Sequence, residues 1–170
     1  MKSPRLLLAG PAGVGKSTIA RSLSDTLAID WIDFDAVRAR LRETGEHLDL
    51  SRYDFADTAI GYLPAPPAGV VLDVGGDSVF RERADYSARL AQVQRLKADA
   101  ALVVVLLAAE KEVVRERYMN CGKPSSGAAF DSDWESWLTH MQPYWARCAD
   151  REVHVNGSLS NELIQTVAFG

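Results

Sequence analysis

Gly10-Pro-Ala-Gly-Val-Gly-Lys-Ser17 gathers three glycines, one lysine and one hydroxyl into eight residues. This is the GxxxxGK[ST] pattern of a loop that wraps phosphate oxygens. Gly10, Gly13 and Gly15 permit turns closed to other residues and a close approach of the backbone to a ligand. Pro11, Ala12 and Val14 complete the same binding loop. Backbone N–H groups then converge on an anion, and the helix that follows adds its N-terminal dipole. Lys16 is expected to reach the outer phosphates of a nucleotide. Ser17 is expected to ligate Mg²⁺, with Thr18 a further phosphate contact.

Acidic residues supply the second set. Ile32-Asp-Phe-Asp35 ends an apolar run, and residues two apart in an extended segment share a face. Asp33 and Asp35 are therefore expected to point together at the phosphate site. One would hold Mg²⁺ through water, the other would orient or deprotonate a hydroxyl. The competing reading makes Asp35 the cap of a helix starting at Ala36. Asp73 ends a second apolar run and is the rival metal ligand. Gly75-Gly76-Asp77 after it either admits a ligand close to the backbone or only closes a turn. Arg38 and Arg42, four apart, either touch substrate or form a solvated face. Arg52 is a further substrate candidate. Arg115 and Arg117 can lean on nucleotide phosphates or base.

These residues need elements to hold them. Apolar runs at Arg5–Ala9, Asp30–Phe34, Val70–Val74, Ala101–Leu107 and Glu152–Val155 read as five strands. Helical spacing recurs at 17–27, 36–42, 83–97, 111–118, 133–148 and 159–167, with Pro143 kinking the fifth helix. Strands alternating with helices imply an α/β fold, a five-stranded parallel sheet covered on both faces. Ligands of such sheets sit beyond the carboxyl ends of the strands. Segment 45–69 reads as an acceptor-binding insertion and 119–130, polar and glycine-containing, as a mobile lid. The 170 residues suit a single domain.

The bulk properties narrow the partners. Net charge is −4, with 47% hydrophobic and 25% charged residues. That balance argues against nucleic acid, which needs a basic stripe, and against an anionic membrane surface. No apolar stretch approaches the ~20 residues of a bilayer span. Cys121 and Cys148 form no CxxC pair, so two reduced thiols in a cytoplasmic protein are expected. The oligomeric state is open between monomer and homodimer.

Order and spacing carry a resemblance. Gly10–Thr18, Asp33-Phe-Asp35 and Gly75-Gly76 resemble the shikimate kinase branch of the nucleoside monophosphate kinase-like P-loop fold. Asn120–Pro124 falls where that family has its lid. Pro143-Tyr144 with Ala149-Asp150 is similar to its PLY…AD segment, and Val155-Asn156-Gly157 lies where its adenine loop begins. The resemblance implies ATP, Mg²⁺, a small hydroxylated acceptor, and Asp35 beside the accepting hydroxyl. Lys123 then stabilises the transferring phosphoryl group, while Arg117 and Asn156 belong to the nucleotide site. The chain departs from the family where carboxylate-binding arginines are expected: Tyr53 is followed by Asp54, and Met141 stands two before Pro143. It also has Asp77 for the third glycine and Lys123 for an arginine. The expected acceptor is therefore neutral, polyhydroxylated or cationic rather than shikimate. Two other classes stay open: a nucleotide-binding regulator or NTPase without an acceptor, and a kinase acting on a nucleotide or macromolecule.

Overall fold

The computed structural model describes residues 3–44, 54–75, 78–80, 85–121 and 126–170. Arg52, Gly76, Asp77 and Lys123 lie outside the described residues.

Hydrophobic alternation sets the sheet. In β1 (Arg5–Ala9), Leu7 and Ala9 enter one apolar cluster while Leu6 and Leu8 enter another. The same split divides Val70 and Leu72 from Val71 in β3 (Val70–Asp73), and Val104 and Leu106 from Val105 and Leu107 in β4 (Val103–Ala108). Strands apolar on both sides must be covered on both sides. With β2 (Asp30–Asp33) and β5 (Arg151–His154), they form a five-stranded parallel sheet in the order β2-β3-β1-β4-β5. β1 lies at the centre, so the loop that follows it opens at the middle of the sheet's carboxyl edge.

The helices are α1 (Lys16–Leu27), α2 (Phe34–Glu43), α3 (Phe55–Tyr62), α4 (Tyr86–Ala100), α5 (Lys111–Met119), α6 (Gly127–Ser136), α7 (Gln142–Cys148) and α8 (Asn161–Phe169). Ile19 and Leu23 of α1, Val114, Phe130 and Ile164 cover one face. Phe34, Phe55, Val93, Trp137 and Trp145 cover the other. Phe34 and Phe55 meet edge to face at 5.0 Å, so the starts of α2 and α3 share one apolar cluster. α3 and the lead-in to α6 were not foreseen. Asp54 and Ser126 are their N-caps, each accepting a backbone N–H, a signal that polar segments of short length conceal.

Several boundaries differ from the sequence expectation. α2 starts two residues earlier than 36, because Asp33 caps it. β4 starts at Val103, because α4 runs to Ala100 and closes through Ala101 in the left-handed region, φ 52°. The expected kinked helix 133–148 is α6, a π-helical turn over Trp137–Met141, then α7. Pro143 has no N–H for the carbonyl four residues back and its ring crowds it, so the wider turn absorbs the conflict.

Asp150 ties β4 to the end of α7. Its carboxylate accepts from Lys97 Nζ and the Val104 N–H, both at 2.8 Å. Burial alone would raise this carboxyl, but the Lys97 and Val104 bonds outweigh it and hold it below the usual carboxylate range. A depressed acid stabilises the fold above its unfolded pKa and loses that contribution as pH falls through its folded value. Asp150→Ala should therefore lower Tm near neutrality and flatten the acid limb below about pH 4. Melting curves from neutral pH to about pH 2.5 would reveal it, and parallel wild-type and variant profiles would refute it. Cys121 and Cys148 are both free, and burial pushes the Cys148 thiol up to about 11.

Candidate active site

A cleft of about 1280 Å³ runs along the carboxyl edge of the sheet, lined from Ala12 through Ile19 on its floor. The floor is the glycine loop between β1 and α1. Gly10, Gly13 and Gly15 have φ of 157°, 84° and 106°. At Gly13 the need is twofold, since a Cβ would also stand 3.0 Å from the Val114 carbonyl and from Tyr118 Cβ. The loop is thus pressed onto α5. Lys16 is nearly buried, and its Nζ donates to the carbonyls of Gly10 and Pro11 at 2.9 Å each. This folds the ammonium back over the loop, at the place an anion would occupy.

Arg117 of α5 fastens the loop from the side. Its Nη1 donates to Val14 O at 3.0 Å and its Nη2 to Gly157 O at 2.8 Å. Arg117, Gly157, Ser158, Leu159 and Leu163 form one end of the cleft. Asn156 does not reach it. Its side chain accepts the Glu110 N–H at 2.8 Å at the start of α5 and holds the loop from behind. Its neighbours Gly157 and Ser158 line the cleft in its place. Arg115 lies 3.9 Å from Asp131 on the surface, away from the cleft.

The acids occupy three different positions. Asp73, at the end of β3, is 4% exposed, lines the cleft and is hydrogen-bonded by Ser17. Burial pushes its carboxyl above the usual range; the Ser17 bond and the Lys16 ammonium pull back, while Asp33 and Asp35 push further. Asp33 is the residue opposite Asp73 in the β2–β3 register. It does not share a face with Asp35, contrary to expectation, because extended structure stops at Asp33. Its Oδ1 accepts the N–H groups of Asp35 and Ala36 at 3.0 and 3.2 Å. Asp33, not Asp35, is the helix cap, and Asp35 is thereby released into the cleft from the first turn of α2.

Gly75 makes that placement possible. A Cβ there would lie 2.6 Å from Asp35 Oδ1 and 2.7 Å from Ser78 Oγ. Ser78 Oγ donates to Asp35 Oδ1 at 3.0 Å and accepts from Arg38 Nη1 at 3.0 Å. Arg38 is buried behind Asp35 rather than open to substrate or solvent, while Arg42 is exposed. Beyond Asp35 the wall is Ser136, Trp137 and Met141. Trp137 and Met141 pack in the same cluster as Phe34 and Phe80, which places them on the α2 side of the sheet. Both lie on the π turn, and both also line the cleft. Tyr118 and Asp133, joined at 2.7 Å, close the side between α5 and α6. That bond raises the Tyr118 phenol above its ordinary value.

The donor set suits a hard cation carried with phosphates. Among the described residues no group of three or more His, Cys, Asp or Glu could hold a metal by itself. Ser17 and Asp73 instead offer a hydroxyl and one carboxylate in contact. Mg²⁺ is characteristically held by one or two carboxylates together with phosphate oxygens and water.

The architecture is the P-loop kinase fold in its shikimate kinase-like form. Shikimate kinase from Acinetobacter baumannii matches with a TM-score of 0.69 at 18% identity, over 97% of this chain and 90% of that one. A gluconokinase from Sinorhizobium meliloti matches at 0.61 and 18%, over 99% and 91%. A sugar kinase from Janibacter sp. matches at 0.58 and 15%, over 96% and 91%. Residues 6–143 match the AAA-domain family, and the chain belongs to that family. In sequence, 106 residues are 30% identical to the ATPase subunit HslU of an ATP-dependent protease from Lactobacillus acidophilus. The match takes in 62% of this chain, which spans 19% of that protein's length.

Proposed function

We propose that the protein is a small-molecule kinase that transfers the γ-phosphate of ATP, with Mg²⁺, to a substrate hydroxyl. The observation that carries the reading is the continuation of the cleft. It does not end at the glycine loop but extends to a solvent-facing Asp35 seated over Gly75. An NTPase switch needs only the first half; a transferase needs room for an acceptor and a group to take its proton.

Each residue then has a task. Lys16 leaves its loop carbonyls to meet the outer phosphates, where its charge stabilises the transferring group. Ser17 and Asp73 hold Mg²⁺, which when bound neutralises negative charge on the phosphates. Asp33 lies next to this pair and acts on it through charge, since its oxygen is occupied as a cap. Asp35 orients the acceptor hydroxyl and accepts its proton. Thr18 and the loop N–H groups cradle phosphates, and Arg117 braces the base end. Lys123, Arg52, Gly76 and Asp77 retain the roles assigned from sequence.

The wall of Trp137 and Met141 supports an uncharged acceptor with an apolar face. No helix among the described residues is long and apolar enough to cross a membrane.

The direct test is ATP and Mg²⁺ with a panel of hexoses, sugar acids including D-gluconate and shikimate, polyols, aminoglycosides and nucleosides. Mass spectrometry reads the phosphorylated product. ATP bound with no product from any class would sink the reading. A narrower prediction concerns Arg117. Arg117→Ala removes two hydrogen bonds that join the glycine loop to Gly157, so the dissociation constant for ADP should rise about tenfold. Calorimetric titration measures this, and an unchanged constant would remove Arg117 from the nucleotide site.

A further inference from the structure

Asp35 is an exposed side chain, 62% accessible, and an aspartate so placed is ordinarily free to turn. Here it is not. Ser78 Oγ stands 3.0 Å from its Oδ1, and Arg38 Nη1 stands 3.0 Å from the same hydroxyl. A guanidinium has donors and no acceptor, so Ser78 must accept from Arg38. The one hydroxyl proton is then directed to Asp35. The chain Arg38→Ser78→Asp35 has a single sense, and it occupies Oδ1 while leaving Oδ2 for another partner.

Three pieces of backbone converge to build it. Asp35 and Arg38 lie one turn apart on α2. Ser78 is set by its own N–H, which donates to Gly75 O at 2.9 Å. Gly75 supplies the gap in which the carboxylate and the hydroxyl meet, since a Cβ would come within 2.8 Å of both Asp35 oxygens. The Arg38 side chain is only 6% accessible, and its Nη1 is 3.8 Å from Asp35 Oδ1, near enough for charge but beyond a good hydrogen bond. A buried guanidinium is expensive unless its partners are fixed. An arrangement that only balanced charge would not require the hydroxyl between them.

We infer that Ser78, backed by Arg38, is a positioning residue for phosphoryl transfer: it locks the Asp35 carboxylate so that Oδ2 faces the acceptor hydroxyl. The inference rests on the kinase reading above, in which Asp35 accepts the proton. Without Ser78 the carboxylate is still present and still basic, but it turns among several rotamers. The proton acceptor is then aligned for a fraction of the time. The consequence falls on kcat and not on nucleotide binding, because neither Ser78 nor Arg38 lines the cleft.

The experiment compares wild type, Ser78→Ala, Ser78→Thr and Asp35→Asn with ATP, Mg²⁺ and the acceptor panel described above. Ser78→Ala should lower kcat roughly tenfold to a hundredfold, the scale of a misplaced reacting group. ADP affinity should stay near wild type while Tm falls modestly, because buried Arg38 loses the Ser78 oxygen, and Ser78→Thr, which keeps the hydroxyl, should recover both Tm and most of kcat. A crystal structure of Ser78→Ala with ADP should find the Asp35 carboxylate rotated off Gly75. If Asp35→Asn is inactive but Ser78→Ala turns over within about twofold of wild type, the positioning role is wrong and the kinase reading stands. A carboxylate still seated on Gly75 in the variant structure overturns it equally, with no acceptor needed. A wild type that phosphorylates nothing removes the kinase reading itself.

Discussion

Lys16→Ala is expected to reduce phosphoryl transfer by about 10²- to 10³-fold, the loss found when one preorganised donor to a developing charge is removed. The side chain is nearly buried and already bent over the loop, with Nζ 2.9 Å from two carbonyls. Little reorganisation separates this position from one between phosphate oxygens, so the ammonium acts without first being ordered. A second, smaller effect follows from the same geometry. The two carbonyl bonds help to hold the loop in its curve, and the alanine variant should bind ADP more weakly as well. Since Gly13 presses the loop against α5 and Arg117 ties it from the side, the loop should keep its shape and the affinity loss should be the minor part. Saturating-substrate kinetics and calorimetric titration with ADP separate the two. A variant that retains transfer within about threefold of wild type would mean that the phosphates are held elsewhere.

How much of this could be read from the chain differs from one residue to the next. The glycine loop was legible because its pattern is local: spacing, a preceding buried strand and a following amphipathic helix all fall within twenty-three residues of one another, Arg5 to Leu27. The sheet was legible because β1, β3 and β4 are apolar on both faces. The roles of Asp33 and Asp35 were not. They turn on whether the backbone remains extended for two residues more, and that is decided by Asp33 accepting the N–H groups of Asp35 and Ala36. Cap or strand end is a choice that the dipeptide pattern leaves even. Arg38 was misread for a related reason. Its spacing with Arg42 suggests one polar face, but Ser78, forty positions away, draws it into the interior. Trp137 and Met141 are core residues that also line the cleft, and both lie on the π turn that precedes Pro143. Ser78, three positions after Gly75, carried a signal that was overlooked: a hydroxyl near the carboxyl end of β3 is close enough to hold a cleft-lining side chain in place.

Asp35→Asn should lower kcat by about 10²- to 10⁴-fold, the range for loss of a positioned general base. It should do so without disturbing the fold or the nucleotide. Asparagine has the same shape, and its carbonyl oxygen can still accept from Ser78 Oγ while Gly75 still leaves room. What changes is the second atom. Where the carboxylate offers Oδ2, the amide offers an NH₂ that donates and cannot take a proton. An acceptor hydroxyl then meets a donor, and its proton has no destination. The result also divides the acids by role. Asp73 touches Ser17 and is buried among like charges, so Asp73→Asn should weaken binding of the Mg²⁺–nucleotide as well as turnover. Asp35 lies outside that pair, and its substitution should leave Mg²⁺-dependent nucleotide affinity within about twofold of wild type. If Asp35→Asn instead weakens nucleotide binding as Asp73→Asn does, Asp35 belongs to the metal and another group must take the proton. If it leaves transfer untouched, the cleft beyond the phosphate loop is not where the acceptor reacts.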